Sequence, residues 1–205
     1  MANNNTQGFG LKAAMRVGNT PAIQGQSTYQ IDAGETNAIF NGEPVKVDIS
    51  ATTGGYIVTA AAGTAMVGTL NGVLYTDATT KKPTYSNYYP AATTPANSED
   101  ITAYVNDDPF QEYIIGTNAT LGATLALRKS KIGLTYATTA AAGSTDNGKS
   151  TVTLDISSAA TTAKQLRMVR VADDPENSDQ TAAYCSVVVK VNLHQYIVGS
   201  LATGI

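Results

Sequence analysis

The sequence predicts an all-β protein, an antiparallel barrel or sandwich with jelly-roll arrangements included, preceded by an extended N-terminal arm. Several segments alternate apolar and polar residues with the period of two expected of a half-buried strand, most clearly at 184–198 around Val187 and Val189. Asn-Gly pairs, which favour tight turns, interrupt strand-like segments at 41–42 and 71–72. No segment shows an apolar stripe at helical spacing over three turns.

The composition describes a weakly charged chain that is long enough to bury a core without disulfides. It has 205 residues, 14% charged residues and a net charge of -3, against about 25% charged residues in an average domain. These values argue against a nucleic-acid partner, which requires a basic surface. The single cysteine, Cys185, leaves no disulfide and no zinc cluster, so we expect no cofactor or metal. No segment has the length and apolarity of a membrane span or signal peptide.

Residues 1–26 are predicted to form the extended arm, and residues 27–205 the β-rich body, with internal halves at 27–116 and 117–205. The arm is rich in Asn and Gly and carries isolated apolar residues. Such segments bury too little apolar surface alone, so they order on a partner or stay mobile. We therefore take its apolar residues Phe9, Leu11 and Met15 as candidates for a subunit or partner interface.

The first part of the body begins with a strand over 27–33 and continues with two predicted hairpins, one at Asn41-Gly42 and one at Asn71-Gly72. Residues 76–100 hold three prolines and no strand pattern, and loops of this length are usually functional or disordered. Tyrosine is enriched at protein interfaces. The loop is thus either an interface or ordinary surface, with the interface candidates Tyr85, Tyr88 and Tyr89.

Two similar stretches, at 104–115 and 168–179, lead from a strand-like run into Asp-Asp-Pro. Proline presets its φ angle and Asp side chains bond nearby amides, so both stretches predict a corner between strands. Their carboxylates also raise the alternative of a Ca²⁺ loop, which would need ligands at alternate positions and a glycine at the turn. That glycine is missing from both stretches, which favours turn capping.

The second part of the body is predicted to contain strands at 120–127 and 132–136, joined by a solvated basic turn, and further strands at 152–156, 166–171 and 184–198. In the last of these, Cys185 falls in the apolar alternation and is expected to be a buried, inert thiol.

Gly143 to Ser150 matches the phosphate-loop pattern G-x-x-x-x-G-K-[ST]. That motif requires a helix after the loop, whose N-terminal amides hold the phosphates. The residues that follow alternate like a strand, so we interpret the match as a hairpin turn at Asn147-Gly148 and expect no nucleotide.

The residues give little support for catalysis. His194 is the only histidine, no nucleophile elbow is present, and a strand histidine with a local hydrogen bond is the better interpretation. A glycosidase needs two carboxylates that can be distant in the chain, and nothing in the sequence points to such a pair. We therefore do not expect an enzyme.

The order of these features resembles the small capsid decoration (cement) proteins of tailed bacteriophages. The resemblance lies in the opening Met1-Ala2-Asn3-Asn4 to Gly8-Phe9-Gly10-Leu11, the strand and turn over 29–44, the central Asp107-Asp108-Pro109 with Gln111-Glu112-Tyr113, and the valine-rich strand that ends near Asn192-Leu193-His194. It implies a β-rich body on the outer surface of the phage head. It also implies a homotrimer whose arm or loop reaches neighbouring major capsid proteins.

Two other functions remain open. A neck, tail or head-fibre protein would have a similar composition but a low copy number in the virion. A glycan-binding or hydrolytic β-domain would bind sugars saturably. The chain has no Trp, the side chain most suited to a sugar platform, although its 11 Tyr offer a substitute.

Overall fold

The structure is a computed structural model that describes residues 5–17, 20–21, 25–140, 142–174, 177 and 179–197. The strands in these ranges are β1 (Lys12–Arg16), β2 (Thr20–Pro21), β3 (Gln26–Ile31), β4 (Pro44–Val47), β5 (Ile57–Thr59), β6 (Gly68–Thr76), β7 (Pro83–Ser86), β8 (Ile101–Asn106), β9 (Gln111–Gly116), β10 (Thr135–Tyr136), β11 (Gly143–Ser144), β12 (Lys149–Ser150), β13 (Leu166–Val171) and β14 (Ser186–Val191). A single α-helix, α1 (Leu125–Ser130), lies within the same ranges. The prediction of an all-β fold is confirmed.

The strands form two larger sheets and one small hairpin. Sheet A has the order β10-β13-β14-β9-β1-β2, and sheet B has the order β3-β8-β6-β4-β5 with β7 beside β6. The pairings within both sheets are antiparallel, as predicted. The outer strands β3 and β5 of sheet B contact each other, so this sheet curls toward a barrel.

Each sheet has its own hydrophobic core. The core of sheet A gathers Tyr113, Leu166, Val187 and Val189 with residues from the loops, and that of sheet B gathers Ile31, Val45, Leu70, Val73 and Val105. These side chains are almost fully buried, and burying one Val, Leu or Ile stabilises the fold by about 1.5–3 kcal/mol. Cys185 is also buried in the core of sheet A, as predicted.

The chain crosses from sheet B to sheet A at Asp107-Asp108-Pro109, between β8 and β9. The Asp108 side chain accepts a 2.9 Å hydrogen bond from the Phe110 amide, and the Asp108 carbonyl accepts a 3.0 Å bond from the Gln111 amide. The predicted corner is confirmed here. The second stretch, at Asp173-Asp174, instead links β13 and β14 within one sheet; Pro175 and Glu176 lie outside the described residues.

The N-terminal segment differs from the extended arm that the sequence predicts for 1–26. β1 pairs with β9 inside sheet A, and the Leu11 side chain is buried in the core of that sheet. The reason is that the edge of β9 offers backbone groups for pairing and the core of sheet A offers an apolar site for Leu11. The segment is therefore ordered by contacts within the chain, whereas the prediction expected a contact with another protein. The remaining parts of the arm, at 1–4, 18–19 and 22–24, lie outside the described residues.

Two turn predictions in sheet B are wrong in detail. Asn71-Gly72 lies inside β6, where the register against β8 shifts between Leu70 and Gly72, so the glycine marks a β-bulge and not a hairpin turn. Asn41-Gly42 does form a turn, closed by the bond from the Glu43 amide to the Phe40 carbonyl. The strand after it, β4, pairs with β5 and β6 and not with the segment before the turn.

Two further segments also depart from prediction. Residues 120–127, expected as a strand, contain the start of α1, whose N-cap Thr124 accepts a hydrogen bond from the Leu127 amide. Residues 76–100, expected to lack a pattern, contain β7, which pairs with the end of β6. In both cases the alternation of residues in the sequence is weak. The helix cap at Thr124 and the pairing of β7 with β6 therefore determine the secondary structure.

Candidate interaction surface

The six interface candidates differ in how they lie in the fold. Leu11 and Tyr89 are buried in the two cores. Phe9 is partly buried, with its ring beside Gly116. Tyr88 stacks on Phe40, with ring centroids 5.5 Å apart.

Among these six residues, only Met15 and Tyr85 are classed as exposed. The assignment of all six to an interface stays a prediction, and the exposed pair is what a partner can reach without a rearrangement of the fold.

An exposed apolar cluster lies at the corner between the two sheets, and we call its three members, Met15, Val17 and Phe110, the corner patch. Their exposed fractions are 45%, 44% and 57%. The Val17 amide donates a 2.9 Å hydrogen bond to the Phe110 carbonyl, which places these two residues opposite each other. Met15 is held near the same turn, because its carbonyl accepts a 2.9 Å hydrogen bond from the side chain of Gln111, the residue after Phe110. Of these three residues, the sequence had indicated only Met15 as an interface candidate. Phe110 could have been found from its position, because an apolar residue directly after a polar turn such as Asp-Asp-Pro is often exposed.

Polar contacts fix the corner patch in place. The Arg16 guanidinium lies 2.7 Å from the Asp108 carboxylate. The buried Gln111 side chain donates 2.9 Å and 2.7 Å hydrogen bonds to the carbonyls of Met15 and Glu112. These bonds join the end of β1 to the turn before β9, so the three apolar residues lie on two segments that are bonded to each other.

His194 supports the same corner from the interior. It is buried; Nδ1 accepts a 3.1 Å bond from the Tyr196 amide, so Nε2 carries the proton and donates a 3.2 Å bond to the Asp107 carbonyl. Burial lowers the pKa of His194, which keeps the ring neutral at pH 7. The Asp107 carboxylate accepts a 2.8 Å bond from the Tyr29 hydroxyl. The predicted local hydrogen bond of His194 is confirmed, but the residue lies after the end of β14 and not within the strand.

The Asp108 carboxylate caps the turn at the Phe110 amide, in agreement with turn capping, whereas the Asp107 carboxylate is bonded by Tyr29 of β3. Among the described residues, no group of three His, Cys, Asp or Glu side chains is placed to hold a metal ion. In the same part of the chain, no helix has the length and apolarity that crossing a membrane requires.

The three Asn-Gly pairs of the chain belong to one contact region, which we call the Asn-Gly junction. The Asn41 side chain donates a 2.7 Å bond to the Asn71 carbonyl, and the Asn41 amide donates a 2.9 Å bond to the Gly148 carbonyl. The Gly42 carbonyl accepts a 2.8 Å bond from the Leu11 amide. The junction therefore connects the N-terminal segment, sheet B and the β11–β12 hairpin.

The phosphate-loop match forms a hairpin, as predicted. β11 pairs with β12, and Gly148 takes the left-handed conformation with φ +67°. Its amide donates a 2.8 Å bond to the Ser144 carbonyl, and the Lys149 amide donates a 2.9 Å bond to the Asn147 side chain. No helix begins directly at the end of β12, where a nucleotide site would need one; the next helical segment in the described chain is the short 3₁₀ helix Ile156–Ser158. The Gly148 and Lys149 amides, which would hold a phosphate in such a site, are bonded within the turn.

Glu43 is a buried acid at the Asn-Gly junction. Its carboxyl accepts a 2.7 Å bond from the Phe40 amide and borders a cavity of about 420 Å³ that Asn37, Val58 and Thr59 also line. Burial raises the pKa of Glu43 to about 7. The side chain therefore changes charge near neutral pH while it holds the turn through Phe40.

No known protein family, curated protein or solved structure matches this chain.

Proposed function

We propose that this chain is a structural virion protein that binds the outer surface of a tailed-phage head and stabilises the assembled capsid by bridging major capsid proteins. The support from the sequence is its resemblance to decoration proteins in the order of the arm, the Asp-Asp-Pro corner and the valine-rich last strand. The support from the fold is coarser: an all-β body is compatible with this class of protein and with many others.

The observation that carries the proposal is the corner patch. Three exposed apolar side chains around one corner are typical of a contact site, because the core of an interface is richer in apolar and aromatic side chains than the remaining surface. Binding at this patch would favour the assembled shell, since a ligand that binds only one state stabilises that state. Weak contacts would suffice, because the lattice repeats each site many times.

The test compares the protein with Met15→Ser/Val17→Ser/Phe110→Ser on purified virions, with the major capsid protein as the internal standard. Tyr85→Ser serves as the comparison, because it removes one exposed tyrosine from the other candidate surface. Each variant is first checked for an unchanged circular dichroism spectrum. We expect the unaltered protein in stoichiometric amounts with the major capsid protein, loss of the triple variant, and retention of Tyr85→Ser.

Three results would contradict the proposal in different ways. Loss of Tyr85→Ser alone would move the contact to the β7 side of sheet B. A handful of copies per particle would indicate a neck, tail or fibre protein. Absence from virions, combined with saturable binding to glycans, would favour the glycan-binding alternative.

A further inference from the structure

Helix α1 is short and buries none of its residues. Leu125 and Leu127 are 58% and 52% exposed, and Ile132, just after the helix, is exposed as well. Helices shorter than about 12–15 residues are marginal in water, and most helices in proteins are stabilised by packing of an apolar face. The apolar residues of α1 are therefore available to a surface outside this chain.

The same segment is positively charged. Residues 117–145 contain Arg128, Lys129 and Lys131 but no Asp or Glu. The Arg128 guanidinium donates a 3.2 Å bond to the Gly122 carbonyl and so fixes the loop before the helix. We call Leu125, Leu127, Lys129, Lys131 and Ile132 the α1 patch; it combines apolar contact area with positive charge in a chain whose net charge is -3.

A surface of opposite charge lies on sheet B, around Tyr56. The Tyr56 hydroxyl donates a 3.0 Å bond to Asp100, and the Asp48 amide donates a 2.8 Å bond to the Tyr56 carbonyl. Asp32 and Glu35 line a cavity of about 320 Å³ together with Tyr56. We call Asp32, Glu35, Asp48, Ile49, Tyr56, Glu99 and Asp100 the Tyr56 patch.

The Tyr56 patch also has an apolar element. Ile49 follows Asp48 in the loop between β4 and β5 and is 89% exposed. The two patches therefore complement each other in two respects: one carries lysines and the other carboxylates, and both carry exposed aliphatic side chains. They also belong to different sheets of the molecule.

We propose that the α1 patch of one copy of this chain binds the Tyr56 patch of a second copy. The contact goes beyond the proposed function, since it joins copies of the chain to each other whether or not a capsid is present. Because two different surfaces meet, the contact is head-to-tail; such a contact forms a ring where its rotation closes and a filament where it does not. A symmetric dimer through the α1 patch alone would bring lysines against lysines, which charge repulsion disfavours.

The test uses sedimentation velocity of the full-length protein at low and high salt. Lys129→Glu/Lys131→Glu reverses the charge of both lysines of the α1 patch, and Glu99→Lys/Asp100→Lys changes two of the five carboxylates of the Tyr56 patch, both at exposed positions. Each pair is expected to weaken association, because the first makes the α1 patch acidic and the second leaves the Tyr56 patch with little net charge. Lys12→Glu/Lys149→Glu is the matched control: it changes the charge equally, at exposed lysines outside both patches, and should leave association intact.

Association of the unaltered protein should weaken with salt, since the Debye length falls from about 10 Å at 0.1 M to about 3 Å at 1 M. Leu125→Ser/Leu127→Ser should also weaken it without a change in charge. A protein that remains monomeric at every concentration and salt tested would overturn the proposal. Unchanged association of the Lys129→Glu/Lys131→Glu variant, with its folding checked by circular dichroism, would overturn it too.

Discussion

The Phe40 amide donates a 2.7 Å hydrogen bond to the buried carboxyl of Glu43, three residues further along the chain. This bond supports the turn that carries Asn41 and Gly42, to which the N-terminal segment, β6 and the β11–β12 hairpin are all bonded. A single titratable side chain thus lies beneath the point where three parts of the molecule meet.

Glu43 is expected to make stability depend on pH. Its pKa is raised from 4.5 to about 7, so the folded state holds the proton more tightly than the unfolded state does. The resulting stabilisation is fully present below pH 4.5 and is lost as the pH rises through about 7. The shift corresponds to at most about 3 kcal/mol of unfolding free energy. Thermal unfolding at pH 5 and pH 8 should therefore show a lower Tm at pH 8.

The variant Glu43→Gln separates this effect from other titrations, because the amide keeps an acceptor for Phe40 and carries no charge. We expect its Tm to change less between the two pH values than that of the unaltered protein. Equal pH dependence in both proteins would show that Glu43 does not titrate in this range.

Leu11→Ala is expected to lower the free energy of unfolding by about 2–5 kcal/mol, the usual loss for a buried leucine. Met15→Ala, four residues away in the same segment but exposed, should change it by less than about 0.5 kcal/mol. Urea denaturation measures both variants. Similar small losses for the two would mean that the N-terminal segment does not dock on the core of sheet A in solution.

Gly72→Ala tests the bulge in β6. A Cβ atom at this position would lie 2.3 Å from the Tyr85 hydroxyl oxygen and 3.0 Å from the Ser86 carbonyl. We expect a loss of about 1–3 kcal/mol, in the range of other overpacked sites. Tyr85 is exposed, so Tyr85→Ala should remove most of this added cost when the two changes are combined. A double-mutant cycle of chemical denaturation measures the coupling; additive losses would contradict the contact.

The ion pair between Glu112 and Arg170 joins a buried side chain to a partly exposed one, so substitutions of the two residues should differ in their effect on stability. The carboxylate lies 2.9 Å from the guanidinium; the Glu112 side chain is 3% exposed and that of Arg170 is 40% exposed. Arg170→Met leaves a buried charge without this partner, and we expect a loss of about 1–3 kcal/mol, reduced because solvent already screens the arginine. Glu112→Gln/Arg170→Met should recover part of that loss. A double variant less stable than Arg170→Met would contradict this account.

The sequence was sufficient where one local pattern decides the structure. Residues 166–171 were predicted as a strand from their alternation and coincide with β13. Asp107-Asp108-Pro109 was predicted as a corner, because the conformation of proline and the hydrogen bonds of aspartate act within a few residues. Gly148 was placed in a hairpin because a strand-like run followed it.

The sequence was insufficient where contacts with residues far away in the chain determine the local structure. Asn71-Gly72 has the local signature of a turn, yet β8 pairs along the whole segment and holds it in a strand. Leu11 lies in a polar segment, and only the fold shows that β9 and the core of sheet A receive it. The corner patch combines residues almost a hundred positions apart, from β1 and from the turn before β9, so no single segment could reveal it.

The Asn-Gly junction also bears on how long the molecule keeps its covalent structure. Asparagine before glycine is prone to deamidation, in which the glycine nitrogen attacks the asparagine side chain. In the folded protein the Gly42 nitrogen donates to the Leu70 carbonyl and the Gly148 nitrogen donates to the Ser144 carbonyl, both at 2.8 Å. Neither nitrogen can approach the neighbouring amide without breaking its bond. Folding therefore protects these two Asn-Gly pairs from deamidation. Deamidation at either pair would report that the turn around it had opened.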